Sequence, residues 1–231
     1  MFDKNNEKSI EKLFDEISKD YDKLNNIMSF GMHKIIKQIA VTRLPNTTNG
    51  LIADLCTGTG DIAILLSNRF TDSQINAYDF SEEMLKIAKT NTSGIKNINI
   101  IKADVNKLPL DDNSINICFI SFGLRNLKDI EGAIKEIRRV LKPNGTLSIL
   151  DLGEVTPFFK PFFNFYFFNL IPLFGKLFHK NKEPYSYLAQ SKTTYPVPTE
   201  IIKKLEENGF SNCKNYNYAF GAISQQIATK K

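Results

Sequence analysis

Short apolar runs alternate with amphipathic stretches along the middle of the chain, from residue 51 to residue 152. Such short apolar runs are typical of parallel strands that are covered on both faces. The amphipathic stretches between them are typical of crossover helices. The pattern predicts helices over 61–70, 82–90 and 129–142, a type I turn at 142–145, and five buried strands at 51–55, 75–79, 98–101, 115–121 and 146–152.

The two ends of the chain have patterns of their own. Residues 9–44 are helical in pattern with a break near Ser29–Gly31, and residues 199–210 predict a further helix. The stretches 213–220 and 222–229 alternate apolar and polar residues, which predicts an antiparallel hairpin. We therefore predict one doubly wound α/β domain over residues 1–231, built from an N-terminal helical cap (1–48), a core (49–152), an aromatic-rich insertion (153–197) and a C-terminal helix and hairpin (198–231).

The size and charge of the chain narrow the classes of partner. A chain of 231 residues, 42% of them hydrophobic, can bury the core of one α/β domain. Its formal net charge of +5 is compatible with an anionic membrane surface but is too small to predict a nucleic-acid partner. The sequence also lacks an N-P-P-Y motif for a flipped base. We therefore expect no nucleic acid as partner.

The cysteines and histidines give no sign of a metal site. Cys56, Cys118 and Cys213 are far apart, no C-x-x-C pair occurs, and the chain has two histidines. This predicts reduced thiols, with neither a metal site nor a disulfide framework. The first twelve residues are acidic and polar and have no apolar core, so we expect no signal peptide and a cytoplasmic location.

The octapeptide D-L-C-T-G-T-G-D (54–61) ends the first predicted strand and opens the first helix. Gly58 and Gly60 permit a sharp turn and let a ligand approach main-chain N–H groups. Asp79 ends the next predicted strand twenty residues after Thr59, where a carboxylate can accept both hydroxyls of a ribose. A plain turn from strand to helix remains the alternative interpretation of the glycines.

Further residues narrow the ligand. Asp104 and Val105 follow the third strand, where a carboxylate can accept the amino group of adenine and an apolar side chain can pack on its ring. The chain has no G-x-x-x-x-G-K-[ST] sequence, which excludes the P-loop NTPases. Its glycine loop also departs from G-x-G-x-x-G, because Ala63 stands at the third glycine position, and this disfavours a nicotinamide dehydrogenase.

The motif D-x-x-x-G-T-G beginning at Asp54, the acid Asp79 and the block A-D-x-x-x-L-P (103–109) together resemble the class I S-adenosylmethionine (SAM) methyltransferases, which have a Rossmann-like fold. The resemblance covers residues 50–152. One departure is Cys56, which stands where many members have the first loop glycine. It places a side chain in the turn and puts the backbone conformation there in question.

The flanking regions carry a more specific resemblance. Three motifs, F-D-E-I-S-K-D-Y-D-K-L-N-N-I-M-S-F-G (14–31), I-S-F-G-L-R-N (120–126) and Y-S-Y-L-A-Q-S (185–191), are similar to signatures of the ubiquinone/menaquinone biosynthesis C-methyltransferase family. The run N-F-Y-F followed by L-I-P-L-F-G-K-L-F (164–178) resembles the menaquinone branch. The run D-L-G-E-V-T-P (151–157) departs from the usual E-F-S-x-P. The resemblance implies SAM-dependent C-methylation of the demethylmenaquinol ring, with a ubiquinone-pathway or dual-specificity enzyme as the alternative.

The resemblance also implies roles for individual residues. Arg125 would stabilise the phenolate form of the quinol, Asn126 would orient a ring oxygen or a water, and Tyr21 would donate to the other quinol oxygen. The alternatives are that Arg125 is a surface residue that caps the next helix and that Tyr21 only packs against other side chains. No metal is expected, since the sulfonium is already a good leaving group. The positions that match the SAM contacts of the family are Asp54, Gly58, Thr59, Gly60, Asp79, Asp104, Val105 and Ser121.

Both histidines have a simpler interpretation than catalysis. A histidine is the usual general base near neutral pH. His33, however, begins a predicted helix directly after the Phe30–Gly31 break, where helix capping accounts for it. His179 lies among lysines and is expected to be solvated.

The most unusual stretch is Pro157–Phe178, which holds nine of the eighteen phenylalanines. It is long enough to span a bilayer, but lysines, asparagines and prolines interrupt it, so we predict no transmembrane helix. Core packing is one alternative. We expect instead a wall over the quinol ring and polyprenyl tail, and a set of lysines at the membrane headgroups. The wall residues are Phe162, Phe163, Tyr166 and Phe167, and the lysines are Lys160, Lys176, Lys180 and Lys182.

The expected partners follow from these assignments. They are a polyprenyl quinol substrate and the inner face of the membrane, contacted transiently, and a homodimer is left open. A membrane-binding module that only shares the SAM-binding fold, or a nucleic-acid methyltransferase, is the competing class. Failure to bind SAM would indicate the first, and methylation of RNA the second.

Overall fold

The computed structural model describes residues 12, 14–16, 18, 21–170 and 191–231. Within these residues a seven-stranded sheet has the order β3-β2-β1-β4-β5-β7-β6. Strands β1 to β5 are parallel, and β7 is antiparallel to both β5 and β6. The strands are β1 Leu51–Leu55, β2 Gln74–Asp79, β3 Ile98–Lys102, β4 Ile115–Ser121, β5 Leu141–Leu152, β6 Phe210–Tyr218 and β7 Ile223–Lys230. This architecture confirms the predicted doubly wound sheet and its C-terminal hairpin.

Helices pack on both faces of this sheet. Among the helices whose bounds the structure describes, two form the cap before β1, three follow β1, β2 and β4, one lies in the aromatic segment, and one precedes β6. They are α1 Tyr21–Ser29, α2 Met32–Thr42, α3 Asp61–Arg69, α4 Glu82–Asn91, α5 Ile130–Val140, α6 Lys160–Phe165 and α7 Pro198–Glu207. Helix α6 continues into one π-helical turn, Tyr166–Leu170.

The period of two along the central strands divides the core into two clusters. In β1, Ala53 and Leu55 face the cluster that contains α5 and α7, whereas Ile52 faces the cluster that contains α2 and α3. All three side chains are fully buried. Strands covered on both faces need apolar residues at every position, which is why the predicted runs were continuous.

The order of the strands places a crevice above β1 and β4. The chain moves outward from β1 through β2 to β3 and then returns to the other side of β1 as β4. The connections that leave the carboxyl ends of β1 and β4 therefore run to opposite sides of the sheet. Open α/β sheets bind their ligands at such a switch point.

The largest difference from the predicted boundaries lies between α5 and β5. Helix α5 ends at Val140, two residues earlier than predicted, and the predicted turn at 142–145 lies inside β5. Pairing with β4 passes from Ile115 opposite Leu141 to Ile117 opposite Thr146, so β5 carries an extra loop of residues at this point. Here β5 forms a bulge between two segments that both pair with β4.

The loop after β1 contains the departure noted at Cys56. This residue has φ of 57°, in the left-handed region that usually requires glycine. Its side chain lies against Gly123, where an added Cβ would stand 2.4 Å from Cys56 Cβ and 2.7 Å from Sγ. The glycine at position 123 therefore makes the room that a side chain at position 56 needs.

We predict that Gly123→Ala lowers the free energy of unfolding by about 1–3 kcal/mol, because its methyl group overlaps Cys56. Adding Cys56→Gly should restore most of this loss, since glycine removes the overlapping atoms and adopts the left-handed conformation without strain. Urea unfolding of the wild type, both single variants and the double variant measures the coupling. If Gly123→Ala lowers the free energy of unfolding equally in the wild type and in Cys56→Gly, the predicted overlap between positions 56 and 123 is wrong.

Candidate active site

The glycine loop connects β1 to α3 at the switch point of the sheet. Gly58 and Gly60 have φ of 57° and 88°, so both occupy the left-handed region that the sequence predicted for a sharp turn. The backbone N–H of Gly58 donates to Asp79 Oδ2 at 2.8 Å, and the N–H of Ser81 donates to Asp79 Oδ1 at 3.0 Å. Asp79 thus ties the loop after β1 to the loop after β2.

Asp54 is fully buried at the end of β1. The Thr57 hydroxyl donates to its Oδ2 at 2.5 Å, whereas Oδ1 has no hydrogen-bond partner among the described residues. Burial raises the pKa of the carboxyl to about 8, although the bond from Thr57 opposes this. A buried acceptor without a donor fits a ligand that brings an ammonium or hydroxyl group, and SAM carries both.

The N-terminal cap bonds directly to the cofactor side of the sheet. Thr59 Oγ1 donates to Asp22 Oδ1 at 2.9 Å, and Ser81 Oγ donates to Asp15 Oδ1 at 2.6 Å. These bonds place the Asp22 carboxylate at the glycine loop and the Asp15 carboxylate at the loop after β2. Acids are therefore concentrated at the loops after β1 and β2, which favours a cationic ligand there.

The other predicted cofactor positions lie at the same edge of the sheet. Asp104 and Val105 follow β3, and Ser121 is the last residue of β4. Val105 is buried, and Asp104 Oδ1 accepts the N–H of Asn106 at 2.9 Å. The Ser121 hydroxyl is buried and has no partner among the described residues. The structure brings all these positions to the carboxyl ends of adjacent strands, and their contacts with SAM stay predictions.

A cavity of about 540 Å³ lies between the cap, the loop after β4 and the aromatic segment. Its wall is mainly apolar and aromatic. These apolar residues include Met28, Phe30, Met32, Phe122, Leu152, Phe159, Phe162, Phe163, Tyr166, Phe167, Phe220 and Ile223. The polar side chains in the wall are Tyr21, Asn25, Ser29, His33, Lys37 and Arg125.

The structure places Arg125 in the cavity wall as a largely buried residue. Its side chain is 9% exposed, and its Nη1 donates to Asp151 Oδ1 at 2.7 Å and to the carbonyl of Phe122 at 2.9 Å. The backbone N–H of Arg125 bonds to Asp151 Oδ2 at 3.2 Å. The alternative of a surface arginine is therefore wrong. Asp151 begins the run that departs from the family pattern, and it holds the guanidinium in place.

Tyr21 and Asn126 have different surroundings. Tyr21 lines the cavity and also packs edge-on against Phe14, with 6.4 Å between ring centroids. Asn126 is not among the described residues that line the cavity, and its amide donates to the Phe122 carbonyl at 3.1 Å. The structure therefore places Tyr21 and Arg125 in the cavity wall, whereas Asn126 bonds to the Phe122 carbonyl and is not part of the described wall.

Lys37 is a site residue that the sequence analysis missed. Its Nζ donates to Asp61 Oδ2 at 2.5 Å, and its side chain is 8% exposed. Burial lowers its pKa, but Asp61 and other nearby groups outweigh this and raise it overall. Lys37 Nζ and Arg125 Cζ lie 5.7 Å and 5.4 Å from the centre of the Phe122 ring. A lysine on an amphipathic helix gives no sequence signal, since such positions are usually solvated.

His33 also lines the cavity, and its predicted capping role is wrong. Helix α2 has Gly31 at its N-cap without a side-chain cap, and the His33 ring bonds to the Ser29 hydroxyl. His179 lies outside the described residues, as do Lys176, Lys180, Lys182 and most of the motif at 185–191.

The aromatic segment has an inner and an outer face. Phe163, Tyr166 and Phe167 pack against Leu24 of the cap, and the Tyr166 hydroxyl donates to the Met28 carbonyl at 2.5 Å. Several other phenylalanines remain exposed, so core packing alone does not account for the segment. The exposed ones are Phe158, Phe162, Phe165 and Phe168.

The described residues lack two features, a membrane-spanning helix and a cluster of metal ligands. None of their helices is long and apolar enough to cross a membrane. The same residues contain no group of three or more histidines, cysteines or acids with the arrangement of a metal site.

Comparison with solved structures identifies the class of fold. The chain is similar to a SAM-dependent methyltransferase of Thermotoga maritima, with a TM-score of 0.71, 18% identity, and coverage of 96% of this chain and 100% of that one. It is also similar to a SAM-dependent methyltransferase of Aquifex aeolicus, with a TM-score of 0.62, 21% identity, and coverage of 84% and 89%. The glycine loop and its acids thus belong to a class I SAM-dependent methyltransferase fold.

Comparison of sequences identifies the family. The model of the ubiE/COQ5 methyltransferase family matches residues 1–230, and the chain belongs to that family. A demethylmenaquinone methyltransferase of Staphylococcus aureus is 37% identical over 230 residues, which cover 99% of this chain and 95% of the relative. The chain is therefore a SAM-dependent methyltransferase, as the motifs predicted.

We predict that Asp54→Asn flattens the pH dependence of stability in the SAM-free protein. Because the folded-state pKa is raised from 3.8 to about 8, the stability contribution of Asp54 is full below about pH 4 and is lost as the pH rises through 8. An amide does not titrate, so the variant should gain stability relative to the wild type between pH 5 and pH 8.

Urea unfolding across that range measures this difference. Asp72→Asn, on an exposed turn, controls for the change of an acid to an amide. Parallel pH curves for Asp54→Asn and the wild type would mean that the buried carboxyl does not retain its proton in the folded protein.

Proposed function

We propose that the chain transfers the methyl group of SAM to the ring of demethylmenaquinol, giving menaquinol. The observation that carries this proposal is the aromatic cavity with a buried arginine in its wall, next to the switch point where the glycine loop lies. Apolar cavities of this size with few polar groups are typical of sites for small apolar ligands. A naphthoquinol ring with a polyprenyl tail is such a ligand.

The chemistry requires a nucleophilic ring carbon. Loss of a proton from the neighbouring hydroxyl gives a phenolate, which moves electron density onto that carbon, and SAM supplies an electrophilic methyl group. The protein must align carbon and methyl at about 3–3.5 Å, where orientation lowers the barrier by several kcal/mol. It must also stabilise the phenolate.

Arg125 is the residue that we assign to phenolate stabilisation. A guanidinium keeps its proton, so it acts by charge and hydrogen bonding and not as a base. Its bonds to Asp151 and to the Phe122 carbonyl fix its orientation before substrate arrives. Lys37 adds a second cation on the same side of the cavity. Tyr21 donates to the other quinol oxygen, and Asn126 acts as a positioning residue through the Phe122 carbonyl.

The cofactor side is assigned by charge complementarity. Asp54, Asp79 and the cap acids Asp15 and Asp22 surround the glycine loop. In their ionised form they suit the positive charges of SAM, and we assign Asp79 to the ribose. Asp104 and Val105 are assigned to adenine, and Ser121 to the region between the two substrates.

We predict that Arg125→Ala lowers kcat with demethylmenaquinol by about 10²–10³-fold, the usual effect of removing a donor that stabilises a developing oxyanion. The SAM affinity, measured by calorimetry, should stay within a few-fold of the wild type. Product is followed by chromatography of the quinones, with the demethylated ubiquinone precursor assayed beside demethylmenaquinol. A wild type that methylates only the ubiquinone precursor would refute the assigned substrate.

Two variants control for the structural effect of this change. Arg125→Lys keeps a cation beside the buried Asp151 and tests whether folding alone accounts for the loss. Asp79→Ala should have the opposite signature, with weakened SAM binding as its primary effect. If Arg125→Ala keeps wild-type turnover, phenolate stabilisation belongs to another residue.

We further propose that the exposed phenylalanines hold the cavity against the inner face of the membrane. Phe158 and Phe165 are 95% and 59% exposed, and Phe30 and Phe220 at the cavity wall are 78% and 66% exposed. Soluble surfaces rarely group so many large apolar side chains. A bilayer surface suits them because the polyprenyl tail of the substrate resides there, and Lys160 supplies a charge for anionic headgroups.

We predict that Phe158→Ser combined with Phe165→Ser lowers partition onto anionic phospholipid vesicles by on the order of tenfold, through the loss of apolar area that enters the interface. Neither residue lines the cavity, so turnover of a short-tailed quinol should not change. Vesicle flotation gives the partition, and Ile39→Ser, at an exposed apolar position of α2 outside the aromatic segment and the cavity wall, is the control. Equal flotation of the double variant and the control would contradict the membrane contact.

A further inference from the structure

We infer that His33 is the base that accepts the proton of the quinol hydroxyl and that Ser29 holds it in the required tautomer; this rests on the proposed methylation of a quinol ring. The two residues come together at the break between α1 and α2. Phe30 and Gly31 both adopt left-handed backbone conformations, with φ of 50° and 76°. This turn brings the last residue of α1 against the first turn of α2.

The hydrogen bonds around Ser29 determine which imidazole nitrogen carries the proton. Ser29 Oγ lies 2.6 Å from the Asn25 carbonyl oxygen, and a carbonyl can only accept, so the hydroxyl proton points there. Ser29 Oγ lies equally close, at 2.6 Å, to His33 Nδ1. Because the hydroxyl has no second proton, Nδ1–H must be the donor in this contact.

The backbone N–H of His33 fills the remaining lone pair of Ser29 Oγ at 3.4 Å. The neutral ring therefore has its proton on Nδ1 and a lone pair on Nε2. Ser29 Oγ is the hydrogen-bond partner of Nδ1, and the described residues make no other hydrogen bond to the ring. His33 lines the cavity, so Nε2 is the atom that a substrate hydroxyl can meet.

Burial and the nearby lysines favour the neutral form of the His33 ring before substrate binds. Burial lowers its pKa, Lys37 and Lys34 lower it further, and Asp61 and Asp22 oppose them. A neutral imidazole can accept a proton near pH 7. When it does so, the phenolate appears as its counter-ion and also faces Arg125 and Lys37.

The two cations of the wall and the Tyr166 hydroxyl are unsuited to the task. Arg125 does not release its proton, and Lys37 is held in the charged form by Asp61. Tyr166 already donates to the Met28 carbonyl, and burial raises its pKa. No aspartate or glutamate occurs among the described residues that line the cavity. His33 is left as the described wall residue with a basic lone pair.

The proposed steps balance in protons and electrons. The quinol O–H bond breaks, its proton moves to Nε2, and the phenolate carbon beside the oxygen forms a bond to the methyl group. The C–S bond breaks, and its electron pair stays on sulfur. Loss of the remaining C–H proton to water restores the aromatic ring, and the imidazolium returns its proton to the oxygen. One proton is released for each methyl group transferred.

We predict that His33→Gln lowers kcat at pH 7 by about 10²–10⁴-fold, the usual contribution of general base catalysis. SAM affinity should stay within a few-fold of the wild type, and added imidazole should restore part of the activity. The fall of kcat at low pH, caused by protonation of the free base, should be absent in His33→Gln. In Ser29→Ala it should move to lower pH, because the protonated ring loses an acceptor.

A spectroscopic measurement tests the tautomer independently of activity. Nitrogen NMR of the wild type should show His33 protonated at Nδ1, and Ser29→Ala should lose this preference. A His33 ring protonated at Nε2 would overturn the assignment. So would a His33→Gln variant with kcat within threefold of the wild type, or one whose acidic limb is unchanged. If His33→Gln does not fold, the pH profile of Ser29→Ala and the tautomer measured by NMR in the wild type test the assignment of the base.

The experiments give different results if the assignment of His33 is wrong and if the proposed function is wrong. A wild type that does not methylate demethylmenaquinol refutes the substrate. An active wild type whose turnover survives His33→Gln refutes only the base.

Discussion

The carboxylate of Asp79 accepts backbone N–H groups from two successive loops, and the cofactor side of the molecule depends on this pair of bonds. The loop after β1 contains three residues with left-handed backbone, Cys56, Gly58 and Gly60, and loops of that kind need external support. Hydrogen bonds to a charged acceptor contribute about 1.5–3 kcal/mol each. Burial raises the Asp79 pKa, and the donated N–H groups counter this by favouring the ionised form.

A second consequence of the architecture is the separation of charge. Acids gather at the glycine loop, where a cationic cofactor is expected, whereas Lys37 and Arg125 lie in the wall of the apolar cavity, where an anion would form. Each of these two cations is paired with its own acid, Asp61 or Asp151. Such pairing reduces the cost of burying a charge and keeps the side chain oriented. The switch point lies between the two regions.

Much of the fold could be predicted because its determinants are local. Continuous apolar runs predicted all five parallel strands, and alternation predicted the hairpin. The wrong boundary at 142–145 arose because a bulge and a turn use the same residues, and only pairing with β4 distinguishes them.

The candidate site could be predicted only in part. The glycine loop and Asp79 were found by their spacing in the sequence. Lys37, Asp61 and Asp151 were missed because their roles come from contacts between distant segments, and nothing in the local sequence marks a buried lysine. His33 was noticed but misread, since its surroundings depend on how the cap folds over the sheet.

The contact between Cys56 and Gly123 has a consequence for how this loop can evolve. Side chains at both positions together are destabilising, because the two Cβ atoms would lie 2.4 Å apart. Glycine at both positions removes this overlap, so it is the least costly intermediate between the two arrangements. A substitution at 123 costs less stability in a descendant that has already lost the cysteine. The two sites, far apart along the chain, are therefore expected to covary, and the order of their mutations is constrained.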